Sequence, residues 1–369
     1  MKILQIVTFV SVDSEFGGPS QVALNISMEL NKNDRCAVFA LSNSKTIQAR
    51  WEVPIQELHI FRGFNLFSSL GFAGILNLRI FLRFFRVRKE FDIIHIHLAR
   101  DLVTLPIAFM CMVLKQPYVL QTHGMIDPSK RKMARLLDFL VTKRVMRNSE
   151  RILSLSHEED LDLLRVESDV SISRFLNASI KRQSDTREDK VIFVGRISED
   201  KRPDLLIEAA KMFLKDHSHT TFEFVGPDSG LLSKCKELVS ESTWVKNFKF
   251  RGPLKNSETV ELVSRSTVLV LPSPRDRFPL AVVESLSTGT PVVITHGNGL
   301  SELVSQYHAG VISELSENSI ANSIQTIYDN LSEFQKNATK LFDEVFDLSV
   351  NARKLLCIYE SILANVRNR

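Results

Sequence analysis

Apolar runs of strand length recur along the chain, and most are separated by segments long enough to be helices. Ile3–Val10 is apolar except for Gln5 and Thr8, the pattern of a strand covered on both faces. It leads into a polar loop carrying Gly17-Gly18-Pro19 and then a helical pattern through Val22, Leu24, Ile26 and Leu30. Further strand-like runs follow at Cys36–Leu41, Asp92–His97, Tyr118–Thr122 and Arg151–Ser156. Such alternation predicts an α/β protein with a parallel, doubly wound sheet. The chain turns polar over Ala178–Lys190, and a second series of strands begins at Val191–Gly195, Phe222–Gly226, Phe248–Gly252, Val268–Leu271 and Val292–Thr295. Between them Pro203–Lys215 reads as a helix, with Pro203 in its first turn and Leu205, Leu206, Ala209, Ala210 and Phe213 on one face. The expected organisation is two Rossmann-like domains, residues 1–180 and 181–345, facing across a cleft.

Composition adds boundaries to that picture. At 369 residues the chain exceeds what one hydrophobic core usually serves. With 44% apolar and 24% charged residues it reads as an ordinary globular protein. Four scattered cysteines, none in a Cys-x-x-Cys pair, fit a reduced, cytoplasmic setting without structural zinc or a disulfide framework. Lys2 and the apolar Ile3–Val10 could pass for a signal peptide, but the run leads into Asp13 and Glu15 without a small-residue cleavage pattern, so a first buried strand is expected. The longest near-apolar run, Leu102–Leu114, is 13 residues and contains Pro106, too short to span a bilayer.

Charge is unevenly placed. Residues 1–183 carry 25 Lys and Arg against 18 Asp and Glu, whereas residues 184–369 carry 22 against 25. The excess concentrates in two segments where basic and apolar residues interleave at helical spacing. Asn65–Lys89 has Arg79, Arg83 and Arg86 on one stripe, and Lys130–Arg151 contains eight basic residues. Each suits either a solvated helix over a sheet or an interfacial helix near anionic lipid. Two in one domain favour peripheral contact with the inner face of the cytoplasmic membrane. The modest total charge and the aliphatic setting of the phenylalanines argue against nucleic acid.

The candidate chemistry gathers around Leu271–Pro291, which runs from an apolar strand through a proline-rich charged loop into a short helix stopping at Gly289. Loops leaving the carboxyl ends of buried strands and feeding helix N-termini are where open α/β sheets bind anions. Asp276 and Glu284 lie eight residues apart across this junction. Pro279 is expected at the first helical position, leaving the amides of Leu280 and Ala281 to face an anion. Glu284 requires either a ligand, such as the two hydroxyls of a ribose, or a basic partner. At the end of Val191–Gly195, Arg196 and Lys201 can converge on a diphosphate; the plainer reading is two solvated bases beside Glu199 and Asp200. His95 and His97 share one strand face, but no carboxylate or cysteine accompanies them and no metal site is expected. His123, at a strand's carboxyl end before Gly124, would project into the cleft.

Taken in order, Gly17-Gly18, Asp-Ile-Ile-His-Ile-His at 92–97, Thr122-His123-Gly124, Val-Gly-Arg…Lys at 194–201, Phe-Val-Gly-Pro at 224–227, Phe-Arg-Gly at 250–252 and the 271–291 stretch resemble the retaining glycosyltransferases of family 4, over nearly the whole chain. The resemblance implies the GT-B architecture, with the C-terminal helix of residues 346–369 crossing back to the first domain. It implies that Arg196 and Lys201 hold the diphosphate of a UDP- or GDP-linked sugar and offset its leaving charge. Glu284 would bind the ribose, and Asp276 the hydroxyls of the transferred sugar. The amides of Phe278 and Leu280 would approach the sugar or phosphate, with Gly252 in the same donor set. His123 would lie beside the reacting carbon, and Gly17 and Gly18 would let acceptor or phosphate approach the backbone. No metal or other cofactor is implied. Three positions depart from the family pattern: Asp276 stands for a glutamate, Arg277 for a glycine or asparagine, and Arg202 for a glycine, which bears on the choice of sugar.

The function expected is transfer of a sugar from a nucleotide sugar to a saccharide acceptor, lipid-linked and belonging to surface-polysaccharide synthesis. The alternatives are a nucleotide-sugar epimerase, a synthase using a soluble acceptor, or an inactive scaffold partnering another transferase.

Overall fold

The structure is a computed structural model describing residues 1–10, 17–43, 57–66, 71, 73–129, 131–182 and 186–368. Residues 67–70, 72 and 130 of the two basic segments, and 183–185 of the polar stretch, lie outside these. The described chain divides into two compact units, residues 1–178 with 348–369, and residues 179–347.

Unit 1 is built on seven parallel strands: β1 (Lys2–Phe9), β2 (Arg35–Ser42), β3 (Leu58–Arg62), β4 (Ile93–His97), β5 (Tyr118–Gln121), β6 (Arg151–Ser154) and β7 (Ile172–Arg174). Their order, β3-β2-β1-β4-β5-β6-β7, reverses direction of growth at β1/β4. This is the doubly wound arrangement, whose ligands lie outside the carboxyl ends of the strands. Both faces of the sheet are covered, which is why β1, β2 and β4 read as almost unbroken apolar runs. On one face Leu4, Ile6, Phe39, Ile94 and Ile96 pack with Ile80, Phe84 and Val87 of α2 (Leu78–Val87) and Ile107, Ala108 and Cys111 of α3 (Thr104–Val113). On the other, Val7, Val38 and Ala40 meet Ala23 and Leu24 of α1 (Gly17–Leu30). Each large apolar side chain fully buried in this way contributes about 1.5–3 kcal/mol before chain entropy is counted.

Two helical stretches complete the part of unit 1 relevant to function. Lys132–Leu137 (α4), a π-turn over Asp138–Thr142 and Lys143–Arg147 (α5) run on from one another, and α6 (His157–Val166) follows β6. The strand expected to reach Ser156 ends at Ser154, because Ser156 caps α6 by accepting from the amide of Glu159 at 3.2 Å. Gly17 and Gly18, expected in a loop, are instead the first residues of α1.

Unit 2 repeats the plan with six parallel strands: β8 (Lys190–Val194), β9 (Thr221–Val225), β10 (Phe248–Gly252), β11 (Val268–Leu271), β12 (Val292–Thr295) and β13 (Gly310–Ser313), in the order β10-β9-β8-β11-β12-β13. Its helices include α7 (Pro203–Phe213), α8 (Asn256–Ser264) and α9 (Leu280–Ser287). Pro203 does open α7, but Pro279 stands outside α9 as its cap, with extended backbone (φ −73°, ψ 109°), so Leu280 is the first helical residue. Within the two parallel sheets, the strands that patterning missed, β3, β7 and β13, are sheet edges whose half-exposed residues break the apolar run.

The last helix, α10 (Leu348–Arg367), belongs to unit 1. It buries Leu348, Ala352, Leu355, Tyr359 and Ile362, a stripe at three- and four-residue spacing, and packs against α1.

Candidate active site

In unit 2 the functional side chains stand on turns leaving the carboxyl ends of the central strands. The turns after β8 and β9 and the end of β10 are laced together by backbone bonds, Gly195 N–H to Val225 O and Gly226 N–H to Gly252 O, both 2.9 Å. Gly226 has φ 143°, and a Cβ there would lie 1.9 Å from Gly195 O, so only glycine permits this contact. Gly252, expected among donor-binding residues, thus supports the turn through its carbonyl.

Arg196 leaves this turn with its guanidinium on Asp200 at 2.9 Å, and Ser198 donates to the same carboxylate at 2.5 Å. Lys201 turns the other way, pairing closely with Asp276, and both side chains are mostly buried. Each base is held by a different carboxylate, Arg196 by Asp200 and Lys201 by Asp276, while the Asp200 carboxylate lies in the field of both. Arg202 follows in the left-handed region (φ 52°) and pairs with Asp204, letting the chain enter α7 at Pro203.

Asp276 is fixed through its backbone as well. Its amide donates to Gly297 O at 3.1 Å and its carbonyl accepts from Gly299 N–H at 2.7 Å. A Cβ on Gly297 would sit 1.8 Å from Pro274 O, and one on Gly299 1.9 Å from Arg277 O. The loop bearing Asp276 is thus clamped by a second loop, residues 296–300, that sequence reasoning had not singled out. The Gly-Asn-Gly at 297–299 was the available signal. Asn298 between these glycines is buried, accepts from Leu300 N–H at 3.0 Å, and has no partner for its Nδ2 among the described residues.

Glu284, on the second turn of α9, accepts from Asn256 Nδ2 of α8 at 2.7 Å. The residue is half-buried, yet its carboxyl is desolvated enough to raise its pKa to about 7; the Asn256 bond and the field of Arg182 pull the other way. The partner that burial demanded is therefore an amide, and Asn256 was invisible in the sequence because it lies 28 residues away on another helix. Phe278 sets its ring edge-on to Phe346 at 6.2 Å, so its side chain is structural and only its amide remains available.

In unit 1, His95, His97 and His123 form a stack, with ring centroids 4.6 and 5.0 Å apart and planes within 9°. His97 Nδ1 lies 2.7 Å from His123 Nε2, and His95 Nδ1 lies 2.6 Å from the Tyr359 hydroxyl of α10. Burial lowers the pKa of His95 and of His123 to about 3 and holds His97 well below its ordinary value, so all three rings are neutral at physiological pH. His123 itself takes a left-handed backbone (φ 48°). Its neighbours hold it there: Glu159 Oε1 accepts from Thr122 Oγ1 and Gly124 N–H, each at 2.5 Å, and Oε2 accepts from Leu155 N–H at 2.7 Å. Gly17 and Gly18 open α1, and Gly18 has open space where a Cβ would be. Among the described residues, no group of three or more His, Cys, Asp or Glu is arranged to hold a metal ion.

Two family models match the chain, Glycosyltransferase Family 4 over residues 16–169 and Glycosyl transferases group 1 over residues 177–341. A D-inositol 3-phosphate glycosyltransferase of Acidothermus cellulolyticus is 32% identical over 130 residues, 33% of this chain but only 29% of that protein. The alignment thus spans less than a third of this relative. A UDP-Gal:alpha-D-GlcNAc-diphosphoundecaprenol alpha-1,3-galactosyltransferase of Escherichia coli is 25% identical over 306 residues, 75% of this chain and 77% of that one. Among solved structures, Anabaena HepE (Alr3699) in complex with UDP superposes with a TM-score of 0.76 at 16% identity, covering 98% of this chain and 100% of that one. At that identity the likeness establishes the GT-B fold.

Proposed function

The chain belongs to the glycosyltransferases of family 4, the group 1 glycosyl transferases, and on that premise we propose that it moves a sugar from a nucleotide-sugar donor to a saccharide acceptor with retention of configuration and without a metal ion. The observation that carries the reading is the arrangement in unit 2: two bases and Asp276 held on turns at the carboxyl ends of a doubly wound sheet, with Glu284 on the second turn of the helix that follows.

The donor diphosphate takes Lys201 and Arg196 as charged donors, together with the free amides of Phe278 and Leu280 at the entrance to α9. Those fixed charges offset the negative charge that grows on the departing phosphate, the task a cation performs elsewhere. Asp276, bound to Lys201 and clamped by Gly297 and Gly299, accepts from hydroxyls of the transferred sugar. Glu284 accepts from the ribose. His123 supplies a neutral ring beside the reacting carbon. The leaving phosphate takes the acceptor's proton, so no side chain is needed as base.

Glu284 gives the test. Its raised pKa means that the carboxylate needed by the ribose hydroxyls forms only as pH rises through about 7. Nucleotide affinity is expected to climb between pH 6 and 8, by up to roughly ten-fold per unit below the pKa. Glu284→Gln, which still offers one acceptor, should bind about ten-fold more weakly at pH 8 and lose that pH dependence. Stability should move oppositely. A carboxyl whose folded pKa exceeds its ordinary 4.5 stabilises fully below that pH, and the contribution is lost as pH rises through about 7. Titration with UDP, GDP and ADP at several pH values reads the affinity and denaturant unfolding over the same range reads the stability; identical pH profiles of affinity for the two proteins would remove Glu284 from the site. Turnover of a nucleotide sugar with no acceptor present would instead favour an epimerase.

The acceptor is proposed to be lipid-linked, an intermediate of surface-polysaccharide synthesis met at the membrane surface. Support comes from unit 1, where α2 exposes Leu78, Leu82 and Phe85 beside Arg79, Arg83 and Arg86. The α4–α5 stretch exposes Met133, Leu136, Phe139 and Leu140 among Lys132, Arg135, Lys143 and Arg144. Exposed apolar residues fringed by bases match an interface of acyl chains and anionic headgroups, where each base adds about 1 kcal/mol. No helix among the described residues is long and apolar enough to cross a membrane. Co-sedimentation with phosphatidylglycerol vesicles should therefore be salt-sensitive and weakened by Leu82→Ser with Phe139→Ser. Equal recovery with neutral vesicles would count against the contact.

A further inference from the structure

Gln5 is a polar residue in the middle of β1 and is fully buried, at a position where the covered sheet asks for an apolar side chain. Its Nε2 lies 2.9 Å from Ser27 Oγ and 3.6 Å from Cys36 Sγ, while its Oε1 lies 2.9 Å from His97 Nε2. We propose that Gln5 acts through His97 as a positioning residue, fixing His123 as the tautomer with its proton on Nε2 and a bare, hydrogen-bond-accepting Nδ1.

The argument is one of proton counting along a chain of three groups. The amide oxygen of Gln5 can only accept, so His97 Nε2 must carry a proton. A neutral imidazole has a single N–H, which leaves His97 Nδ1 as an acceptor. His123 Nε2 faces that nitrogen at 2.7 Å and must therefore donate. The remaining ring nitrogen of His123, Nδ1, keeps its lone pair and finds no hydrogen-bond partner among the described residues. Reversing the Gln5 amide would invert every link and put the His123 proton on Nδ1. The amide stands with its NH2 group beside Ser27 Oγ and Cys36 Sγ, both able to accept its protons, and with Oε1 turned to His97.

A bare Nδ1 accepts from a hydroxyl, whereas an N–H there could only donate to the hydroxyl's oxygen, so the tautomer fixes which way that bond runs. That consequence rests on the reading of His123 as a group facing the reacting sugar; the tautomer itself does not. The neutrality of the rings keeps the relay intact across the physiological range, because a doubly protonated imidazole would have no acceptor.

The test uses the full-length protein with 15N-labelled histidine rings, in which the tautomer of each of the nine histidines is read from long-range proton–nitrogen correlations. His123 is identified by the signal lost in His123→Asn. The wild-type spectrum should show His123 Nε2 protonated and Nδ1 bare; the opposite assignment overturns the proposal without any further variant. Gln5→Leu should move His123 toward the Nδ1–H form, and Gln5→Glu, which still accepts from His97, should restore the original form. An unchanged His123 tautomer in Gln5→Leu also overturns it. The sugar-facing role is read separately, from the affinity ratio of UDP-glucose to UDP and of GDP-mannose to GDP. Gln5→Leu should lower the ratio for the pair that binds by about two- to ten-fold, and Gln5→Glu should rescue it. A tautomer that shifts while the ratio stays fixed would leave the relay standing and remove His123 from the proposed sugar site.

Discussion

Gly226→Ala is expected to cost unit 2 about 3–5 kcal/mol. Two penalties add. The backbone at φ 143° is one that L side chains rarely adopt, and the new Cβ would fall 1.9 Å from Gly195 O, a backbone atom that cannot rotate away. Relief requires separating the turns after β8 and β9, which breaks the bonds from Gly195 to Val225 and from Gly226 to Gly252. Since Arg196 follows Gly195 directly, the same movement displaces the proposed diphosphate site. A domain with an ordinary margin of about 5–15 kcal/mol would lose a large part of it. Gly252→Ala is the internal control: its φ is also positive, at 69°, but a Cβ there meets nothing within 4 Å. It should cost only about 1–2 kcal/mol for the left-handed backbone. Denaturant unfolding of both variants, with proteolysis to locate the unfolded segment within 179–347, decides the matter. Equal destabilisation by the two alanines would show that the contact with Gly195 carries no cost.

Lys201→Ala is expected to weaken nucleotide-diphosphate binding by about 30- to 1,000-fold, or about 2–4 kcal/mol. Loss of one charged donor accounts for the lower figure. The remainder comes from Asp276, which pairs with Lys201 through a mostly buried contact and would be left as an uncompensated negative charge beside the phosphates. A double variant separates the two effects. Lys201→Ala with Asp276→Asn should recover roughly ten-fold of the lost affinity, because the repulsion is removed while the missing donor is not. Arg196→Ala should cost less than Lys201→Ala, since Arg196 is more exposed and pairs with Asp200 on the same short loop. Calorimetric titration of the four proteins with UDP and GDP at low salt makes the comparison. Affinity unchanged by Lys201→Ala would sink the donor-site model.

The pairing of Lys201 with Asp276 also sharpens how the departures from the family pattern are read. Aspartate is one methylene shorter than glutamate, and reacting groups tolerate only about 0.5 Å of misplacement. The clamp by Gly297 and Gly299 fixes the backbone of Asp276 tightly, so the shorter side chain is not offset by local play. Sugar choice should therefore respond to Asp276→Glu more than to any change of nearby surface charge.

The sequence by itself determined the fold class, because both sheets are covered on two faces and their central strands had to be continuous apolar runs. It pointed to a two-part organisation, to the helix after Pro203, and to the candidates Arg196, Lys201, Asp276 and His123 in short motifs following strands, with Glu284 on the helix after β11. It did not reveal the edge strands β3, β7 and β13, whose mixed exposure has no clean period. It also placed Pro279 one residue too far into α9, since a proline suits the cap and the first turn almost equally well. Only the tertiary structure decided which groups meet. Asn256 reaches Glu284 across 28 residues, Tyr359 reaches His95 across 264, and Gln5 reaches His97 across 92. These partners carry no local signature, because their spacing is set by the crossover connections of a doubly wound sheet and not by helix or strand period. The pairing of Lys201 with Asp276, joined across 75 residues, is of the same kind.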